Sequence, residues 1–543
     1  MTTLVDPETL LAHLTLDEKI ALLAGADAWH TVAVPRLGIP SIKVTDGPNG
    51  ARGASRNGVP TSACFPVGVA MGATWNPALI RQVGEALAEE TRDKGAHILL
   101  APTVNIHRSP LAGRNFECFS EDPYLTGVMA SAYINGLQSR GVGACIKHFV
   151  CNDSEFERFS ISSDVGERPL REIYLRPFEM AMQRARPWTL MSAYNRINGV
   201  WASENRRLLV EILKGEWQFD GMVISDWYGT YSERAVYNGL DIEMPGPARW
   251  LSREHVIAAL ERGDLSEAEL DDKVRRLLRT IERVGGFANP TPTAEQGVDR
   301  PSHRALIRRV GVESMVLLKN EQHLLPLNAD QPQTIAVIGA NAHWAAVMGG
   351  GSSEVAPHYV VTPLQGIRER AGTGCVVEYA IGCPIFRRLP NLETGWLRLP
   401  DTDRPGARLD YFANPDLEGP VVRSEHLHTL EASWFGDQIA DLTTPVFSTR
   451  ATCDLILPQS GRYHLGLACV GQARLWLDDE LVIDLWEKDL MNGADQRQMV
   501  QLEAHRRYRL RVEFRWPRAG NWRGWQVGLL AASESDPIAE AVA

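Results

Sequence analysis

Between residues 41 and 245 one unit recurs: a short apolar, β-branched run ending in polar, Pro or Gly residues, then a stretch with apolar residues at three- and four-residue spacing. The runs are SIKVTD, AHILLAP, GACIKH, WTLMSAY, GMVISDW and LDIEMP, and the stretches between them include PALIRQVGEALAEETRDKG and RRLLVEILKGEW. Short runs bounded by turn residues make buried strands, and strands that pair in parallel need a crossover helix between them. The repetition predicts the α/β class, with an N-terminal (β/α) TIM-like barrel over residues 1–285.

Beyond residue 285 the texture changes. Residues 286–302, rich in Pro, Gly, Thr and Asn, have the composition of a linker. The helix pattern HRALIRRVGVESMVLLKN, the apolar run TIAVIGANA and the turn MGGGSSE then begin an α/β sandwich domain over 303–386. That turn lacks the Gly-Lys-Ser/Thr ending of a phosphate-cradling loop. Residues 387–532 show alternating runs with polar hairpin turns, as in PVFSTRATCDLILPQSGRYHLGLACVGQARLWLDDELVIDLW and RRYRLRVEFRW, which predicts an inserted all-β sandwich. A helical register resumes in 533–543, where the α/β sandwich domain reads as unfinished.

Charge narrows the partners. Lys and Arg total 56 and Asp and Glu 67, a formal net charge of −11, which disfavours nucleic acid and anionic membrane and fits a neutral substrate. The N-terminus has no basic-then-apolar leader, and no apolar run approaches the ~18 residues of a membrane span, so a cytoplasmic protein is expected. Eight cysteines lie scattered without C-x-x-C pairs, which predicts reduced thiols rather than a disulfide framework or zinc site. No metal or organic cofactor is implied, since His, Cys and carboxylates do not cluster at ligand spacing. A homo-oligomer is compatible with the sequence.

In a parallel barrel, reactive side chains gather at the C-terminal ends of the strands. The runs here end in Asp46, Lys147 and His148, Tyr194, Asp226 and Glu243. Asp226 follows MVIS and precedes Trp227, so a carboxylate stands beside an aromatic face, a combination suited to attack on a sugar ring. Singly, each has a plain explanation: a strand-end Asp caps a loop, Lys147 and His148 form structural contacts, and Trp227 packs in the core. Their coincidence at one end of one barrel favours a site. Lys147 also raises the alternative of a Schiff-base lyase or aldolase.

Longer motifs are more specific. The run APTVNIHRSPLAGRNFECFSEDPYLTG (101–127) closely resembles the signature of glycoside hydrolase family 3, as do TDGPNGARG (45–53), GACIKHFVCNDSEFER (143–158), LMSAYNRINGVW (190–201) and FDGMVISDW (219–227). The likeness extends through ESMVLLKNEQHLLPL and AVIGANA, and the β insertion resembles the protective-antigen-type sandwich of some β-glucosidases in that family. KHF is followed by VCNDSEFER rather than the His-containing Gly-rich loop of the family's β-N-acetylglucosaminidases.

This resemblance implies a retaining β-glucosidase acting on small β-glucosides or short oligosaccharides. The alternatives are a β-xylosidase or other exo-β-glycosidase of the family, and a non-catalytic carbohydrate-binding protein. It implies Asp226 as nucleophile, Asp46, Arg52, Arg114, Lys147, His148 and Arg158 as glycone-binding residues, Tyr194 against the nucleophile, and Trp227 in the substrate pocket. Arg114 could instead serve as an ion-pair partner of Glu117 or Glu121. The resemblance puts the acid/base glutamate downstream of the β insertion, beyond Ala543, and so implies impaired departure of poor leaving groups. Glu243 is the alternative acid within the chain, expected to be structural.

Overall fold

Five strands form the regular part of a parallel sheet: β1 (Val44–Asp46), β2 (Ile98–Leu100), β3 (Gly143–Phe149), β4 (Thr189–Ser192) and β5 (Met222–Ser225), in the order β1-β2-β3-β4-β5. Every residue in them is buried, as expected of strands covered on both faces. The run LDIEMP, expected as a strand, makes only two parallel bridges, Ile242 to Ile224 and Glu243 to Ala24. Pairing continues through Gly25 to Thr31 and His30 to Lys43, which adjoins β1. The return from β5 to β1 thus runs through bridges, because only two residues of LDIEMP lie beside a neighbour before Pro245 and its turn.

The computed structural model describes residues 6–53, 60–328, 331, 333–372, 374–435, 442, 445–487, 490–517, 522–532 and 536–542. They fall into two compact units, the first comprising 6–322 and 347–359, the second 323–346 and 360–542.

Local signals explain the helices of the first unit. Helix Pro77–Asp93 starts where the Asn76 side chain accepts from the Leu79 N–H, with Pro at its first position, and buries Leu79, Ile80, Val83 and Leu87 on one face. Helix Glu267–Arg283 opens on a capping box of Ser266 and Glu269. From that helix, Arg276 donates to the carbonyls of Phe219 (2.7 Å) and Gly221 (2.9 Å), fixing the chain just before β5.

Residues 286–302, whose composition suggests a linker, run along this unit. Glu295 pairs with Lys43, and Lys94 donates to the Gln296 carbonyl at 2.7 Å. Arg300 pairs with Asp93, and His303 Nδ1 lies 2.8 Å from Glu90 Oε1. The following helix covers Pro301–Glu313 and stops short of the expected 303–320, leaving Met315, Val316, Leu317 and Leu318 exposed.

The second unit begins with parallel strands β6 (Gln333–Ile338) and β7 (Cys375–Ala380), linked through helix Pro363–Ala371. An antiparallel array comes next, organised on the long strand Gly461–Leu477. Its first half pairs with Leu490–Leu502 and Trp522–Ala531, and its second half with Arg507–Trp516 and Glu480–Asp484. The exchange of partners occurs at an irregularity between Cys469 and Gly471, where Gly471 has φ +123°. Leu465, Leu467, Leu475, Leu510, Val512 and Phe514 are among the buried residues of its core. Helix Pro537–Val542 then contacts β7 again, so the antiparallel array is an excursion between two visits to the same parallel pair. No described helix is long and apolar enough to cross a membrane.

Candidate active site

Asp46 ends β1 and Lys147 lies near the end of β3, and the two meet across the sheet: Lys147 Nζ donates to Asp46 Oδ1 at 2.8 Å, with both side chains buried. Asp46 Oδ1 also accepts from the Gly47 N–H at 2.8 Å. Gly47 holds φ +126°, and a Cβ there would collide with the Gly50 carbonyl oxygen, which accounts for glycine in the TDGPNG loop. Burial works to raise the Asp46 carboxyl, but Lys147 and Arg52 overcome it and hold it below the ordinary value.

Two carboxylates tether the arginines. Arg114 Nε donates to Glu117, whose other oxygen accepts from Thr103 Oγ1 at 3.3 Å. Arg158 Nη1 donates to Glu155 Oε2 at 2.7 Å, and Glu155 Oε1 lies 3.9 Å from Arg114. The Arg158 guanidinium sits 4.1 Å from the centre of the Tyr194 ring, within cation–π range. The Glu117 pairing is thus realised alongside convergence on the site, because an arginine has donors enough for both. Arg52 Nη1 donates to the Ser352 carbonyl at 2.8 Å, and Arg114 Nη2 to Ser352 Oγ at 3.4 Å.

Asp226 stands directly after β5, buried. Its Oδ1 accepts from the Trp227 N–H at 2.8 Å, and its Oδ2 has no hydrogen-bond partner among the described residues. His148 Nε2 is 3.5 Å from that oxygen. Asn105 sets the state of this ring: its amide nitrogen donates to the His148 carbonyl (3.0 Å), and its Oδ1 accepts from the His148 N–H (3.0 Å) and faces Nδ1 at 3.1 Å. With the amide oriented by the backbone, Nδ1 carries the proton. Burial, then Arg114 and Lys147, push the imidazole well below its ordinary value, so it is neutral. Burial raises the Asp226 carboxyl above the ordinary range against the opposing pull of Arg158, Arg114 and Lys147.

Tyr194 donates its hydroxyl to the Trp227 carbonyl at 2.9 Å, and burial together with Asp226 keeps it protonated well above its usual range. Trp227 donates Nε1 to the Ala28 carbonyl at 2.9 Å and lies 5.3 Å from Trp29, centre to centre. Glu243 does different work: its Oε2 accepts from the N–H groups of Arg249, Trp250 and Leu251, all at 2.9 Å, and so closes that turn.

The nine residues singled out from sequence therefore lie within one hydrogen-bonded and stacked neighbourhood of the first unit. Sequence reasoning missed Trp29, Asn105, Glu155 and Ser352. Asn105 and Glu155 sit inside the family-like motifs and were legible as polar residues flanking known positions. Ser352 belongs to the Gly-rich turn assigned to the next domain, and nothing local signals that the turn returns to the first unit. Among the described residues no group of three His, Cys, Asp or Glu is arranged to hold a metal ion.

A carboxylate with one pinned and one open oxygen, ringed by cations, a neutral imidazole and indole faces, can attack a polarised carbon in a polyhydroxylated ligand. Residues 18–280 match the glycosyl hydrolase family 3 N-terminal domain and residues 315–528 the C-terminal domain of that family. The chain is 47% identical over 522 residues to a β-glucosidase from Rhizobium radiobacter, covering 94% of this chain and 62% of that protein. It is 43% identical over 492 residues to β-glucosidase B from Emericella nidulans, covering 88% of this chain and 57% of that protein. Among solved structures, a β-glucosidase from Kluyveromyces marxianus in complex with glucose superposes with a TM-score of 0.92 at 36% identity, over 99% of this chain and 66% of that one. The chain thus spans about three fifths of the length of these curated relatives.

Proposed function

The chain belongs to glycosyl hydrolase family 3, and from that premise we propose that it carries the nucleophile half of a retaining β-glucosidase acting on terminal non-reducing β-D-glucosyl residues of small glucosides. The reading takes the parallel sheet as a TIM-like barrel and the antiparallel array as a protective-antigen-type sandwich. Its chief support is Asp226: Oδ1 is held by the Trp227 N–H while Oδ2 is buried and has no hydrogen-bond partner among the described residues, the state an attacking oxygen needs. Oδ2 bonds to the anomeric carbon as the aglycone oxygen leaves, and water later releases the sugar. Asp46, Lys147, His148, Arg52, Arg114 and Arg158 offer charged or imidazole partners to the sugar hydroxyls, and Trp227 with Trp29 offers ring faces to its apolar side.

Retention requires a second carboxyl about 5–5.5 Å from the first. We assign that acid/base to none of residues 1–543. The three backbone N–H groups held by Glu243 Oε2 tie this side chain to its turn, which supports a structural role. Accordingly, Glu243→Gln should change kcat/KM by less than about tenfold, against the 10²–10⁴-fold expected of a general acid. A larger loss confined to poor leaving groups would reverse that assignment. Lys147 is engaged by Asp46, and nothing favours a Schiff base there.

The test is labelling with an activated 2-deoxy-2-fluoro-β-glucoside, followed by intact mass and peptide mapping. One equivalent on Asp226 is the expected result. A label elsewhere, or reaction with the xyloside alone, would overturn the nucleophile or the sugar. A pH profile gives a second check. Asp226 must be ionised to attack, and burial raises it, so kcat/KM should fall with decreasing pH at a value above the ordinary 3.8. Removing a cation that opposes burial, as in Arg158→Met, should move this limb to higher pH.

A further inference from the structure

The second unit contains a cavity of about 560 Å³, within the ~300–1,000 Å³ range of small-molecule sites. Five of its sixteen lining residues carry rings: His343, Trp344, Tyr379, Trp396 and Tyr463. Its polar side chains include the amides of Asn391 and Gln459 and the carboxylates of Glu393 and Glu540, and among the described residues its lining includes no Lys or Arg. Asn391 is oriented by Gln526, whose amide donates to its Oδ1, and Tyr463 donates its hydroxyl to the Gln459 carbonyl at 2.9 Å. The Tyr379 hydroxyl is buried and has no partner among the described residues. His343 lies 5.9 Å from the Tyr379 ring and 4.4 Å from Trp344, centre to centre.

We propose that this cavity is a second ligand site that takes a short neutral saccharide, independent of the Asp226 centre. Two carboxylates with no cation repel phosphates, nucleotides and organic acids. A lipid or hydrocarbon would leave the buried Tyr379 hydroxyl without a partner. A quaternary ammonium would suit rings and carboxylates but offers nothing to a hydroxyl or an amide. A sugar satisfies all of them: its C–H face lies on indole or phenol, and its hydroxyls both donate and accept, matching amide, carboxylate and phenol.

The probe is thiocellobiose, whose sulfur linkage resists hydrolysis, titrated calorimetrically into the chain carrying Asp46→Asn and Lys147→Met. Those changes remove the glycone contacts of the first unit, and circular dichroism checks folding. One equivalent should still bind. Adding Trp396→Ala should weaken binding at least about tenfold, equivalent to about 1.4 kcal/mol. Tyr379→Phe, which deletes only an unpartnered hydroxyl, should weaken it severalfold without lowering the Tm. In the otherwise unchanged chain, neither Trp396→Ala nor Tyr379→Phe should alter aryl glucoside hydrolysis. Absence of binding by the folded first-unit variant, binding indifferent to Trp396→Ala, or displacement by choline would each overturn the proposal. None of these outcomes bears on Asp226, whose labelling is read separately.

Discussion

Asp226→Gly should lower the rate of aryl β-glucoside cleavage by about 10⁴-fold or more, the scale of loss when a covalent nucleophile is removed. Substrate affinity should change little, since the proposed glycone contacts come from Asp46, Lys147, His148 and the arginines. The substitution vacates the space of one carboxylate against the Tyr194 and Trp227 pair, where a small anion fits. Azide supplied in solution should therefore restore turnover of an activated substrate and give the α-glucosyl azide, because attack from the Asp226 side inverts the β-linkage once. Release of β-configured azide, or unimpaired hydrolysis without azide, would refute the nucleophile assignment.

Lys147→Met should be costly in a different way. It leaves the Asp46 carboxylate buried without its 2.8 Å partner, and breaking one side of a buried pair typically costs about 3–5 kcal/mol. The first unit should melt earlier, and glucoside binding should weaken at the same time. The double change Asp46→Asn with Lys147→Met separates these effects. It removes the stranded charge and should recover most of the lost stability while leaving binding impaired. Should the double variant be no more stable than Lys147→Met alone, the pair does not tie β1 to β3.

Much of the site was legible because strand ends in a parallel sheet gather their side chains, and the runs around Asp46, Lys147, Tyr194 and Asp226 were recognisable as buried strands from their apolar residues alone. The expected strand at LDIEMP shrank to two bridges, since local apolarity cannot say how many residues find a neighbour before a turn. Helix periodicity identified Pro77–Asp93 well but overran Glu313, where four successive apolar residues continued the pattern without a surface to cover. Ser352 and Trp29 were invisible for a further reason: their proximity to the site is set by chain path, not by spacing.

The path of residues 286–300 and 347–359 sets a limit on modularity. A gene fusion, recombination event or protease cut at the Pro- and Gly-rich segment would separate the parallel sheet from everything downstream. Such a fragment would lose the Ser352 carbonyl that receives Arg52, and would strand Glu90 and Asp93 without His303 and Arg300. The parallel-sheet part of the first unit is therefore not a cassette that can be moved alone, and shuffled relatives should retain the downstream Gly-rich turn from the same parent as that sheet.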